Sequence, residues 1–68
     1  MDATAITTED GKTVHKGDRV FNYYDGVWVT ITTDPDSEGW FDCEGDTRRY
    51  YLNGSRISSY DPRRTRNV

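Results

Sequence analysis

The chain has 68 residues, with nine basic and twelve acidic side chains, one histidine, one cysteine and a formal net charge of −3. That length makes one domain, which buries only about 60% of its unfolded surface and has no room for a cleft between subdomains. A lone cysteine excludes an internal disulfide, one cysteine with one histidine cannot build a structural zinc site, and no apolar run reaches the ~18 residues of a membrane span.

The inventory favours strands. Nine Thr, five Val, three Ile and nine aromatics stand against two Ala, one Leu, one Met and no Gln, so β-branched and ring side chains outnumber good helix formers. Residues 1–11 read as a flexible arm in which Ile6 is the single apolar anchor. Residues 9–12 (EDGK) read as a turn, and residues 19–24 (RVFNYY) as a first strand. Asp25-Gly26 is the signal of a two-residue type I′ hairpin. In residues 27–33, Val27, Val29 and Ile31 alternate with Trp28, Thr30 and Thr32, so the odd positions face a core and Trp28 faces away. Residues 34–39 (DPDSEG) form a longer turn. A third strand over 40–44 points Phe41 and Cys43 inward and Trp40 outward. With Ile31 opposite Phe41, Trp28 and Trp40 share an outer face about four residues, ~13 Å, apart. A fourth strand spans 47–52, a turn or 3₁₀ turn 53–55, and a short fifth strand 56–60, closed by Pro62.

Five short strands with tight turns bury one face by curling into a barrel, which also hides their edges. The sequence Lys16-Gly17-Asp18-Arg19-Val20, then Asp25-Gly26-Val27-Trp28-Val29-Thr30-Ile31, then Leu52-Asn53-Gly54-Ser55-Arg56-Ile57 resembles the small SH3-like barrel, in particular its Tudor and KOW-like variants. The short, Asp-, Thr- and Arg-rich style is also similar to small bacteriophage proteins. The expectation is an all-β, five-stranded SH3-like barrel over residues 12–61, with an Arg-rich tail over 62–68. The resemblance implies a groove lined by loop residues and outward aromatics, here Tyr23, Tyr24, Trp28, Trp40, Tyr50 and Tyr51.

Few motifs carry chemistry. Asp34-x-Asp36-x-Glu38-Gly39 matches the first half of an EF-hand loop, but loop position twelve, which needs a bidentate Glu, is Gly45. Gly11-Lys12-Thr13 is the end of a P-loop whose first Gly would fall at Ile6. His15 has no nucleophile or second acid at a catalytic spacing. Cys43 alternates inward, and its acidic neighbours Asp42 and Glu44 oppose a thiolate. The expectation is therefore no enzyme, no cofactor and no metal.

Charge separates along the chain. Residues 1–46 hold eleven acidic and three basic groups, a net of −8, whereas residues 47–68 hold six basic and one acidic, a net of +5. The leading expectation is a protein-binding adaptor or inhibitor, cytoplasmic (host cytoplasm for a phage protein), that uses the aromatics and the acidic positions Asp34, Asp36, Glu38, Asp42, Glu44 and Asp46 against a basic partner. The alternative is a nucleic-acid-binding module using Arg48, Arg49, Arg56, Arg63, Arg64 and Arg66 beside Tyr50, Tyr51 and Tyr60, since rings stack bases and guanidinium forks hold phosphates. A third possibility is a homo-oligomer in which the acidic part of one copy meets the basic tail of the next.

Overall fold

A computed structural model describes residues 4–61. The order of elements is β1 (Ile6–Thr7), β2 (Thr13–Val14), β3 (Arg19–Asn22), β4 (Val27–Ile31), β5 (Trp40–Glu44), β6 (Arg49–Asn53), a 3₁₀ turn (Gly54–Arg56) and β7 (Ile57–Ser58). β1 and β2 pair as a small hairpin, and the other five strands form one antiparallel sheet in the order β6-β5-β4-β3-β7. The 3₁₀ turn carries the chain from β6, at one edge, to β7, which lies beside β3 at the other. The described residues are thus all-β, a curled five-stranded half-barrel compatible with a small SH3-like barrel.

The alternation read in the sequence sets the faces. Val20, Val29, Ile31, Phe41, Cys43, Leu52 and Ile57 point into one core, with Val27 and Tyr50 packed at its margin. Cys43 is fully enclosed. Burial, reinforced by the charge of Asp42, pushes its thiol up to about 12. Iodoacetamide at pH 8 is expected to leave Cys43 unmodified in the folded chain and to alkylate it in denaturant, as intact-mass spectrometry can follow.

The turns differ from expectation in instructive ways. The β3–β4 connection is a four-residue turn over 23–26, with Asn22 opposite Val27. Gly26 has φ +74°, but no non-glycine residue among those described has positive φ, so Asp25 does not form a type I′ turn. The Asn22 side chain instead accepts from the Tyr24 N–H at 3.1 Å, and the Gly26 N–H donates to the Asn22 carbonyl at 2.8 Å. This local satisfaction of the backbone ends β3 at Asn22 and lifts Tyr23 and Tyr24 out of the ladder.

Between β4 and β5 the register places Ile31 opposite Cys43, two residues beyond the expected Phe41. The shift is even, so every side chain keeps its face. It moves Trp28 and Trp40 to about six residues apart, ~20 Å along the strands. Asp36 sets the length of this connection. Its N–H donates to the Trp40 carbonyl at 2.8 Å, and its Oδ1 accepts from the Glu38 and Trp40 amides at 2.9 and 3.0 Å.

Residues 1–11 were expected as a loose arm, but the described part of that segment is integral to the fold. Ile6 is buried in the core with Val14 beside it. The Glu9 N–H donates to the Ile57 carbonyl at 2.8 Å, extending the β7 edge. Asp10 accepts from the Ser59 N–H at 3.0 Å, the Ser59 hydroxyl at 2.5 Å and the Thr8 hydroxyl at 2.5 Å. Against the burial that would raise it, these bonds hold the Asp10 carboxyl down to about 2. A depressed carboxyl stabilises fully above its unfolded value of ~3.9 and loses that contribution as pH falls through its folded value. Asp10→Asn is expected to cost about 1 kcal/mol at neutral pH. It should also flatten the loss of stability between pH 4 and 2 in urea denaturation. The tail over 62–68 lies outside the described residues.

Candidate functional site

The sheet's outer side carries two separate aromatic groups. In the first, Trp28 stands opposite Phe21 in the β3–β4 register. The two rings meet edge-to-face with centroids 5.4 Å apart and planes at 66°. Phe21 is buried and Trp28 half-buried, so this pair is chiefly packing.

The second group is open to solvent and is assembled from two turns and two strands. The β3–β4 turn supplies Tyr23 and Tyr24, whose ring centroids are 5.7 Å apart. The 3₁₀ turn supplies Arg56, whose guanidinium carbon lies 4.6 Å from the Tyr24 ring centre and 5.5 Å from that of Trp40. Trp40, at the start of β5, stacks on Tyr51 of β6 with centroids 5.4 Å apart and planes at 19°. The Tyr51 hydroxyl donates to Asp36 Oδ2 at 2.6 Å, and the Tyr23 hydroxyl donates to the Ser55 carbonyl at 2.5 Å. The result is one continuous stripe in the order Tyr23, Tyr24, Arg56, Trp40, Tyr51, Asp36. Tyr24 is 63% and Tyr51 57% exposed, so the stripe presents large ring surface to water while its polar ends are tied down.

Local sequence explains this geometry. Alternation in β6 turns Tyr50 towards the core and Tyr51 out. The Asn53 side chain accepts from the Ser55 amide at 3.1 Å and the Ser55 hydroxyl at 2.6 Å, which winds the 3₁₀ turn and sets the direction of Arg56. Electrostatics around the stripe are uneven. The hydrogen bond from Tyr51 holds the Asp36 carboxyl below its ordinary range, and the same bond raises the Tyr51 phenol. Burial, with the nearby charge of Glu9, raises the Tyr23 phenol. Carboxylates thus flank both ends, while the centre holds one guanidinium.

The remaining candidate residues are dispersed. Asp34, Asp42, Glu44 and Asp46 are exposed, with Asp34 and Asp46 in turns and Asp42 and Glu44 on the outer face of β5. Asp42, Glu44 and Arg49 line a shallow basin of ≈ 270 Å³ with Thr32 and Thr33. Glu44 stands directly opposite Arg49 in the register, so that arginine is surrounded by opposite charge. Arg48 lies over the Tyr50 ring at 5.2 Å. Arg48 and Arg49 are at the start of β6 and Arg56 is beyond its end, a separation of about a five-residue strand, ~17 Å. Arg63, Arg64 and Arg66 lie outside the described residues.

Asp36, the centre of the half EF-hand motif, spends its carboxylate on its own turn and on Tyr51. No cluster of three or more His, Cys, Asp or Glu side chains placed to hold a metal occurs among the described residues. No helix among them is long and apolar enough to cross a membrane. Sequence reasoning grouped Arg56 with the basic tail and missed its insertion between Tyr24 and Trp40. The Asn53-Gly54-Ser55 turn signal was the available clue. Comparison of the chain with protein-family models, with curated proteins and with solved structures finds no match.

Proposed function

We propose that the chain is a non-catalytic protein-binding module, an adaptor or inhibitor, that docks an extended segment of its partner along the stripe from Tyr23 to Asp36. The observation that carries this reading is the continuity of the stripe: four rings and one guanidinium from two turns and two strands are in serial contact. Exposed aromatic surface of this kind marks interaction sites on small proteins. Tyr, Trp and Arg are also the side chains that dominate binding energy at interfaces. Ring-to-ring and hydroxyl contacts hold these side chains before a partner arrives, which lowers the ordering cost of binding. The SH3-like resemblance implies the same use of outward aromatics beside loops.

Two observations favour protein over nucleic acid. Trp40 already carries a stacked ring and a guanidinium, leaving less ring face for a base. Of the arginines that the nucleic-acid reading needs, Arg48 and Arg49 lie at one end of β6 and Arg56 beyond the other, rather than aligned as a phosphate track.

Selection of random twelve-residue peptides displayed on phage against the whole chain tests the proposal. Enriched peptides should bind the parent chain and lose at least tenfold in affinity on Trp40→Ala or Tyr51→Ala. Enrichment of nothing, or of peptides indifferent to both changes, overturns it. So does tighter binding of oligothymidylate than of any selected peptide.

A further inference from the structure

Arg56 is the one cation within the stripe, and its setting is specific. Its guanidinium is held between the rings of Tyr24 and Trp40 and makes no ion pair or side-chain hydrogen bond among the described residues. Aromatic faces satisfy the flat sides of a guanidinium but none of its five in-plane N–H donors. A half-buried guanidinium seated over two rings, with no in-plane donor paired among the described residues, suits the planar, bidentate geometry of a carboxylate. Among the described residues, no carboxylate pairs with it. Asp36, at one end of the stripe, is engaged by Tyr51 and its own turn amides.

We infer that Arg56 is a receptor for a carboxylate side chain of the docked segment, so that the partner motif is a central Asp or Glu flanked on both sides by apolar residues. The inference rests on the peptide-docking reading above and adds its specificity. The stripe continues past Arg56 in both directions, to Tyr24 and Tyr23 on one side and to Trp40 and Tyr51 on the other. A ligand occupying it therefore runs through the anion site, which selects an internal acidic side chain over a chain-terminal carboxylate. Charge complementarity fixes the remainder. Asp36 lies beyond Tyr51, and Glu9 is bonded through its N–H to Ile57, the strand partner of Asn22 beside Tyr23. Basic residues of the ligand therefore belong at the ends of the motif, within about five residues of the central acid at ~3.3 Å of extended chain per residue. A uniformly acidic segment would be repelled there, so this is a patterned rather than a general preference for anions.

Two amidated nine-residue peptide libraries, random except for a central Glu or a central Gln, separate the possibilities when passed over the immobilised whole chain. The Glu library should be retained at least tenfold more than the Gln library, with Lys and Arg enriched only at the outer positions. Arg56→Gln should abolish the difference while leaving residual binding of both libraries. Arg56→Lys, which keeps the charge but not the planar fork, should reduce it to about threefold. It also serves where Arg56→Gln fails to fold by circular dichroism. Equal retention of the two libraries by the parent chain overturns the carboxylate site and leaves the docking surface standing. A Glu preference that persists undiminished in the folded Arg56 variants likewise overturns it. Retention of neither library overturns both proposals.

Discussion

Gly54→Ala is expected to destabilise the chain by about 3 kcal/mol or more, a large part of the ~5 kcal/mol available to a small domain. A methyl group at Gly54 would lie 2.0 Å from the Thr7 carbonyl oxygen and 3.1 Å from its carbon. Both are backbone atoms of β1, so no rotamer change relieves the clash. Either β1 moves away, uncovering Ile6 and breaking the Asp10–Ser59 contacts, or the 3₁₀ turn moves and takes Arg56 with it. Binding should therefore weaken along with stability, although Gly54 touches no ring of the stripe. Urea denaturation followed by tryptophan fluorescence reads the first effect. An unchanged midpoint would show that the turn does not rest on β1.

Deletion of residues 1–11 is expected to abolish cooperative folding. Ile6 alone contributes about 2–3 kcal/mol by burial. The deletion also removes the Glu9–Ile57 backbone bond and the Asp10 hydrogen bonds, each worth roughly 1 kcal/mol. The total rivals the stability of the domain. A proton spectrum of the truncated chain should lose its amide dispersion. A thermal transition at the parent temperature would instead mark the segment as a dispensable arm.

How much of the fold is legible in the sequence depends on how far each signal reaches along the chain. Val27, Val29 and Ile31 alternate cleanly with Trp28 and Thr30, and period-two patterning over five residues fixes the faces of β4 without knowledge of its neighbours. The same parity leaves register undetermined. A two-residue slip between β4 and β5 changes no face, and it was settled by Asp36 folding its carboxylate back onto its own turn. Ile6 sits in a strand of two residues, too short to show any period, and its burial depends on Ile57, Leu52 and the Gly54 turn far along the chain.

The candidate site divides in the same way. The outward Tyr51 and Trp40 were legible from alternation, whereas Tyr23 and Tyr24 both join the stripe because β3 ends at Asn22. Trp28, which shares that outward alternation, instead meets Phe21 because the β3–β4 register sets them opposite each other. Arg56 shares its charge with the basic tail, but a 3₁₀ turn three residues long places it between two rings from distant segments. Charge counting along a chain carries no information about such a placement, because the partners of Arg56 are uncharged.

The most direct measurement is a set of ¹⁵N and aromatic nuclear magnetic resonance spectra of the whole chain, recorded as the tightest-binding Glu-centred peptide is added. The stripe predicts that the largest shifts fall on the Trp40 indole N–H, the Tyr24 and Tyr51 rings and the Arg56 Nε–H, with Trp28 little affected. Largest shifts at Thr32, Thr33, Glu44 and Arg49, or around Trp28, with Trp40 and Arg56 unmoved, would contradict it.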